Sequence, residues 1–317
     1  MTASFYSSVI GPSADATVVM KFSDRAIPRP IFERFAKVCR ENISFGEIDA
    51  EQLLLLLNRA RIALSDSGRE RASAGAAMDI RQAQSIRRHV IRQYNISNTH
   101  RAARIFPRIL KEYNAGRTVL ELSARHMLSP YVIFKNIAEA IHGVGARERL
   151  NSISLGKIRA SDVFDERTAR EYEAARAYDY ESTAVQLEIA RLADGREHNF
   201  VSFLRDDLGI RLRTQEESLA LATRDGTHPI TPDALFLSRV EINGERAHWV
   251  DFKSYCGAPF SFLLPKAREQ SEKYDREFGP GFMVYENGYV DGMPFRAVSA
   301  RALRDIIEGG MRRAILV

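Results

Sequence analysis

A stretch of 30 residues, 228–257, constrains the fold more than any other part of the chain. Two runs rich in Val, Leu, Phe and Trp, Ala234–Ile242 and Ala247–Ser254, flank the dipeptide Asn243–Gly244. Asn-Gly between two such runs is typical of a tight turn between antiparallel strands, because both turn residues must adopt a positive φ. The sequence therefore predicts a β-hairpin in this region.

Two acidic side chains and one lysine lie near the open end of this hairpin. Asp233 begins the first strand, and Asp251 and Lys253 lie near the end of the second. Alternate residues of a strand project to one face, so Asp251 and Lys253 should point together while Phe252 points into the core. Pairing of the strands brings Asp233 near Asp251. Two carboxylates beside a lysine suit a hard divalent cation and a phosphate.

Composition bounds the class of protein. The chain has 317 residues, 45% hydrophobic and 27% charged, as in ordinary globular proteins with room for two domains. A net charge of +5 and a preference for arginine over lysine suit a phosphate-rich partner or a solvated basic surface. Two distant cysteines, Cys39 and Cys256, exclude a thiolate zinc cluster and fit a reducing compartment. Without a signal peptide or a long apolar run, we expect a soluble, intracellular protein, nuclear or cytoplasmic, with no membrane partner.

The N-terminal half is predicted to be helical after a flexible segment, residues 1–28. Its charge is lopsided between Ile80 and Arg117, where few acids oppose the cations and three aromatic residues are interleaved. This region is the best candidate for nucleic-acid contact, although an exposed helical face would carry the same residues. The cations of this run are Arg81, Arg87, Arg88, Arg92, Arg101, Arg104, Arg108, Lys111 and Arg117.

A helix-turn-helix is predicted at residues 118–141. A short helix with an apolar face is followed by a turn at His126–Leu128, and Ser129–Pro130 then forms an N-cap and first-turn pair. The second helix should leave Tyr131, Lys135 and Asn136 outward, and Lys135 is a candidate contact to nucleic acid. Many all-α domains contain the same arrangement without binding DNA. A helical connection follows at residues 146–180.

In residues 181–317, a helix is predicted to begin near Gly195 and to end at Gly209. It carries Glu197 on an apolar stripe, where a carboxylate either completes the N-terminal turn or faces a metal ion. After the hairpin, a helix over 265–278 places Gln270 and Tyr274 on one face. A strand, a turn, a second short strand, a helix and an edge strand at 314–317 complete the prediction.

These motifs together resemble one family. They are Thr231-Pro232-Asp233, His248-Trp249, Asp251-Phe252-Lys253, Gly257, Gln270 with Tyr274, and Phe278-Gly279-Pro280-Gly281. Their order resembles that of the codanin-interacting nuclease family, also called the TPD-motif family. This family belongs to the PD-(D/E)xK nucleases and has archaeal relatives similar to Holliday-junction resolvases. The resemblance covers residues 100–317.

The resemblance implies an α/β, restriction-endonuclease-like PD-(D/E)xK core, preceded by an all-α helix-turn-helix region. It implies a nuclease that hydrolyses phosphodiester bonds and depends on Mg²⁺ or Mn²⁺. Asp233 and Asp251, with the Phe252 carbonyl and Glu197, would bind the metal, and Lys253 would orient or activate water. Gln270 would orient water or a phosphate oxygen, and Tyr274 would touch the substrate backbone or support the strand. For both residues a purely structural role is equally open.

The chain departs from the family pattern at two positions. It has Asp251 where members have glutamate, and Asn199 where some relatives carry a second helix acid. The sequence leaves open which helix acid completes the site. Implied partners are nucleic acid, with DNA favoured and RNA also open, a codanin-like protein and a second copy of the chain; the sequence does not distinguish duplex, flap or branched substrates. A catalytically weak nucleic-acid-binding or scaffold module, and a helix-turn-helix transcription regulator, are the alternatives.

Overall fold

The computed structural model describes residues 5–10, 17–22, 26–65, 77–225 and 230–309. Contacts divide the chain into two compact units, each built from separate segments. Unit 1 comprises Met1–Phe35, Leu54–Ile86 and Leu192–Val317, and unit 2 comprises Ala36–Leu53 and Arg87–Arg191. From the sequence, the chain is divided into residues 1–28, 29–145, 146–180 and 181–317. Whether these segments fold as separate domains stays a prediction.

The described helices and strands follow in chain order. They are β1 (Phe5–Ile10), β2 (Thr17–Phe22), α1 (Arg29–Glu41), α2 (Ala50–Arg59), β3 (Ala63–Leu64), β4 (Ala77–Met78), α3 (Ile80–Ser97), α4 (Thr99–Asn114), α5 (Val119–His126), α6 (Pro130–His142), α7 (Ala146–Ser154), α8 (Glu166–Tyr178), α9 (Thr183–Ser202), β5 (Leu212–Thr214), α10 (Gln215–Asp225), β6 (Ala234–Ile242), β7 (Glu245–Lys253), α11 (Leu264–Phe278), β8 (Phe282–Tyr285), β9 (Ala297–Ser299) and α12 (Arg304–Ile307). Among them, no helix is both long enough and apolar enough to cross a membrane.

The predicted hairpin is confirmed and lies at the centre of the main sheet. Strands β6 and β7 pair antiparallel around Asn243 and Gly244, whose φ angles are 51° and 83°. The sheet has the order β1-β2-β6-β7-β8-β9, with β5 on β6. Pairing of β7 with β8 and of β8 with β9 is parallel. The molecule is therefore mixed α/β, as expected, and the more specific restriction-endonuclease-like core stays a prediction.

The expectation of a flexible N-terminus is wrong for residues 5–10 and 17–22. Strand β1 pairs antiparallel with β2, and β2 pairs parallel with β6 of the hairpin. Val18, Met20 and Phe22 are buried in the core of unit 1 because alternate side chains of β2 face inward. Residues 1–4, 11–16 and 23–25 lie outside the described structure.

Helix α9 corrects a second expectation. It begins at Thr183, so Gly195 lies within the helix and does not start it. A helical glycine costs only about 1 kcal/mol relative to alanine, which the packing of the flanking turns offsets. The helix continues as a π-helical turn, Phe203–Asp207, and ends before Gly209, whose φ is 65°. The predicted end of this helix at Gly209 is confirmed. Strand β9 was not predicted from the sequence. The edge strand expected at residues 314–317 lies outside the described residues.

Unit 2 contains the two short helices predicted around a tight turn. Thr118 forms a capping box with Glu121 at the start of α5, and Ser129 caps α6 by accepting from the Val132 N–H. The prediction for Tyr131 is wrong, because its side chain is buried and its hydroxyl donates to Thr183 Oγ1 over 2.8 Å. Most of α6 therefore packs into the helical core of unit 2.

Candidate active site

Hairpin register brings Asp233 and Asp251 together. Ala234 pairs with Val250 and Leu235 with Trp249. In the same register, the next pair toward the open end of the hairpin is Asp233 with Asp251. The Phe252 backbone N–H donates to Asp233 Oδ2 over 2.6 Å, which fixes the first carboxylate beside the second strand. Asp233 is 6% exposed and Asp251 is 1% exposed. The two carboxylates thus lie side by side, as the sequence predicted, and both are buried.

Asp251 is contacted from both sides. Lys253 Nζ lies 2.5 Å from Asp251 Oδ2, an ion pair between alternate residues of β7. Gln270 Nε2 donates to Asp251 Oδ1 over 3.3 Å, and the Tyr274 hydroxyl lies 3.4 Å from the same oxygen. Apart from the lysine, no described residue donates a hydrogen bond to Asp251 Oδ2. The expected grouping of Asp251, Lys253 and Gln270 is present in the structure.

Tyr274 has a different position from the one expected of a substrate contact. It is 4% exposed and packs edge-on against Trp249, with ring centroids 4.9 Å apart. Its hydroxyl donates to the Thr231 carbonyl over 2.9 Å and accepts from Gln270 Nε2 over 2.8 Å. Tyr274 therefore supports the loop before Asp233, and its assignment to nucleic-acid binding is wrong because the ring is enclosed.

The helix acid of this cluster is Glu197. The Phe200 ring stacks on Phe252 at 5.0 Å and so holds α9 against the hairpin. Burial raises the pKa of Glu197, and the nearby Asp251 carboxylate raises it further. Asn199 lies on another face, where its amide donates to the Ile307 carbonyl over 2.8 Å. Glu197, and not position 199, thus faces the other two acids.

The pKa values of this site reflect three carboxylates lying close together. Burial, with repulsion from Asp251 and Glu197, raises the pKa of Asp233 to about 8. Burial also raises the pKa of Asp251, against the opposing effect of Lys253. Burial alone would lower the pKa of Lys253, but the Asp251 and Asp233 carboxylates raise it above its ordinary value. A cation bound among these acids would relieve their repulsion and compete with their protons.

The donor set fits a hard divalent cation in its chemistry. Asp233, Asp251 and Glu197 supply oxygen ligands of the kind that Mg²⁺ and Mn²⁺ prefer. Asp251 Oδ2 is a buried acceptor, and among the described residues its one close partner is a cation, Lys253. The described residues contain no group of three His, Cys, Asp or Glu side chains already arranged to hold a metal ion. Metal binding, including the role of the Phe252 carbonyl, stays a prediction.

The candidate nucleic-acid contacts of unit 2 divide into exposed and buried side chains. Arg87 is 5% exposed and donates to the carbonyls of Ser44 and Gly46 over 2.7 and 2.8 Å. Its assignment to nucleic-acid binding is therefore wrong, because its guanidinium satisfies backbone carbonyls inside the unit. Arg101 is half-buried and donates to the His126 carbonyl over 2.8 Å. The remaining candidates are exposed or half-buried at Arg88, Arg92, Arg104, Arg108 and Lys135.

A basic cluster around Glu112 was only partly anticipated. Arg108, Arg117 and Arg125 lie 3.0, 3.6 and 3.4 Å from the Glu112 carboxylate, and their side chains are 46–65% exposed. Arg108 and Arg117 belong to the arginine run of the sequence, but Arg125 comes from α5 and was missed. Its position in the last turn of a capped helix, eight residues after Arg117, was the signal that could have found it. Three exposed arginines share one acid here.

Comparisons with known proteins found a viral relative and a protein family that match parts of the chain. Uncharacterized protein L539 of Acanthamoeba polyphaga mimivirus is 33% identical over 91 residues. This match covers 27% of the chain and spans only 31% of the viral protein. No solved structure matches significantly. Residues 164–305, which include Thr231-Pro232-Asp233 and the whole acid cluster, match the family described as "Protein of unknown function TPD sequence-motif".

Proposed function

We propose that this protein is a divalent-metal-dependent nuclease with a restriction-endonuclease-like PD-(D/E)xK core. The observation that carries the proposal is the convergence of Asp233, Asp251 and Glu197 with Lys253 at the open end of the hairpin. Burying two carboxylates beside a half-buried third is costly unless a cation compensates them, and one lysine offsets only part of their charge. Such clusters are typical of functional sites.

Each residue has a role that follows from its position. Asp233, Asp251 and Glu197, with the Phe252 carbonyl, would hold Mg²⁺ or Mn²⁺. When bound, the metal supplies a more acidic water and neutralises charge on the phosphate. Lys253 Nζ projects beside Asp251 and would position the attacking water or stabilise the developing negative charge. Gln270, whose amide already donates to Asp251, would orient water or a phosphate oxygen.

The substrate of the proposal is nucleic acid, with DNA favoured over RNA and structured or branched forms favoured over simple duplex. The exposed arginines of unit 2, including the three around Glu112, support a phosphate-rich ligand, since guanidinium groups match phosphate oxygens. A codanin-like partner, a homodimer and a nuclear or cytoplasmic location rest on the sequence resemblance and stay predictions.

One observation favours a catalytically weak nucleic-acid-binding or scaffold module as a second candidate. Asp251 is already held by Lys253, Gln270 and Tyr274, so the cluster is partly neutralised from within. A protein that retained these contacts for stability alone would need no metal. The two candidates differ in whether removal of the Lys253 charge abolishes turnover or only loosens the fold.

The test is cleavage of labelled single-stranded, duplex, flap and four-way DNA, and of matching RNA, with Mg²⁺, Mn²⁺ or EDTA. Asp251→Asn and Lys253→Met keep the side-chain size and remove the charge. The controls are Asp291→Asn and Lys266→Ala, because both side chains are exposed. We expect metal-dependent cutting that the two site variants reduce by at least about 100-fold while binding survives. Binding without cutting of any substrate would favour the second candidate.

A further inference from the structure

A second charged group lies beside the acid cluster in unit 1. Glu308, just after α12, accepts from both Nη atoms of Arg81, one of the two bonds measuring 2.9 Å to Oε2. Arg196 Nη2 lies 3.5 Å from Glu308 Oε1. Arg81 comes from α3 and Arg196 from α9. We call these two arginines the arginine fork, and Glu308 lies between them.

Chain connections place the arginine fork next to the acid cluster. Arg196 immediately precedes Glu197 in α9. Its Nη1 lies 3.7 Å from Glu286, whose backbone N–H donates to the Lys253 carbonyl over 2.9 Å. Arg196 is thus one residue away from Glu197. Its buried partner Glu286 donates a backbone hydrogen bond to Lys253, the lysine of the site. Both links between the fork and the site run through Arg196.

Arg196 retains donors for a ligand. Its contacts with Glu286 and Glu308 are longer than hydrogen bonds, and it forms no side-chain hydrogen bond with any described residue. Its side chain is 31% exposed, that of Arg81 42% and that of Glu308 29%. Glu286 is 1% exposed, so its contact with Arg196 is made from inside the protein and the 31% of the Arg196 side chain that is exposed stays open to solvent.

We propose that the arginine fork binds a substrate phosphate beside the one that is cut, and that Glu308 occupies the fork in the free protein in place of that phosphate. Carboxylate and phosphate oxygens present the same paired acceptors to a guanidinium, and phosphate adds charge and a third oxygen. Nucleic acid would displace Glu308 from Arg81 and gain the unused donors of Arg196. This inference rests on the proposed function, because the occupant is a phosphate of its substrate.

The test measures binding of a fluorescein-labelled single-stranded oligonucleotide and a four-way junction in EDTA, so that no cutting interferes. Glu308→Gln removes the competing charge, and the Asn199 bond to Ile307 still holds the end of α12. Arg196→Ala removes one fork donor. The matched controls are Glu188→Gln and Arg191→Ala, an exposed ion pair on the same helix α9 at 2.7 Å.

We expect Glu308→Gln to bind about threefold to tenfold more tightly than the parent at low salt, and Arg196→Ala to bind about tenfold more weakly. Arg196→Ala should also lower the slope of log affinity against log salt by about 0.7–0.9, the loss of one phosphate contact. The controls should stay within about twofold of the parent. Where cleavage is measured, both fork variants should change KM more than kcat.

Two outcomes would overturn the inference and are separable. If the parent binds or cuts nucleic acid but Arg196→Ala matches Arg191→Ala, and Glu308→Gln matches Glu188→Gln, the fork is a surface ion pair and only the subsite is refuted. If the parent binds no nucleic acid of any kind, the proposed function fails and the subsite fails with it. Circular dichroism of Arg196→Ala distinguishes a lost contact from a lost fold.

Discussion

The Tyr274 hydroxyl donates a 2.9 Å hydrogen bond to the carbonyl of Thr231 and so ties helix α11 to the loop that presents Asp233. The same oxygen accepts from Gln270 and lies 3.4 Å from Asp251. One buried phenol therefore contacts the loop before the first acid, the second acid and the site glutamine. This bond holds the loop before Asp233 against the helix that contacts Asp251.

Replacing Tyr274 with phenylalanine should lower both stability and activity. The Thr231 carbonyl would lose its buried donor, at a cost of about 1–2 kcal/mol in the free energy of unfolding. Urea denaturation measures this change. Gln270→Ala is the comparison, because it leaves the bond between Tyr274 and Thr231 intact and should cost less than about 1 kcal/mol. Equal losses in the two variants would show that the tyrosine does not tie α11 to this loop.

Asp233→Asn should stabilise the protein at pH 8 in EDTA. Asparagine keeps an acceptor for the Phe252 N–H and removes one of the crowded charges. The pKa of Asp233 is raised to about 8 in the fold from an ordinary value of 3.8, so its penalty grows as the pH rises from about 4 to about 8. We expect a gain in Tm of at least about 4 °C, measured by thermal unfolding. Asp291→Asn, an exposed control, should leave Tm unchanged.

With a divalent cation present, the parent should become more stable than Asp233→Asn. Mn²⁺ at about 100 times its Kd should stabilise the parent by about 2.7 kcal/mol, because it binds the folded acids and not the unfolded chain. Asp233→Asn and Asp251→Asn should lose most of this gain, whereas Lys266→Ala should keep it. Thermal unfolding with Mn²⁺, Ca²⁺ or EDTA measures the effect. A parent whose Tm ignores all divalent ions would contradict the metal site itself.

Arg87→Ala should destabilise unit 2, while Arg104→Ala should not. Arg87 donates to two backbone carbonyls inside the unit, and its loss leaves both acceptors unsatisfied and a cavity behind. We expect a loss of about 2–4 kcal/mol in the free energy of unfolding. Arg104 is exposed, and its removal should weaken nucleic-acid binding with stability intact. If Arg87→Ala folded as stably as the parent, the assignment of Arg87 to the interior would be wrong.

Acid should destabilise the protein through His89. Burial lowers the pKa of His89 to about 4, and the nearby Arg92 and Arg88 charges add to the effect. Folding therefore favours the neutral ring. The stability that this preference gives the folded protein is complete above about pH 6.5 and is lost as the pH falls toward 4. Between pH 7 and pH 5 we expect a loss of about 2 kcal/mol, which His89→Gln should reduce. His100→Gln, at an exposed position, should leave the pH profile unchanged.

The sequence was informative where the determinants are local. Asn243–Gly244 specifies the hairpin turn, and the period of two along β7 places Asp251 and Lys253 on one face. Strand β2 could not be found in this way, because its parallel partner β6 begins more than 200 residues later. Charge counts missed the burial of Arg87, since its acceptors are backbone carbonyls that any sequence supplies. The position of Tyr131 depends on which face of α6 the bundle covers, and this is a tertiary property.

The parallel pairing of β2 with β6 also has a consequence for synthesis on the ribosome. Thr17 pairs with Arg239, so the N-terminal strands leave the exit tunnel long before their partner is translated. At about 5–20 residues per second, the intervening chain takes on the order of ten seconds or more to make. Throughout that interval one edge of β2 has no strand to pair with and invites aggregation. Biogenesis of this protein should therefore depend on chaperones that bind nascent chains early.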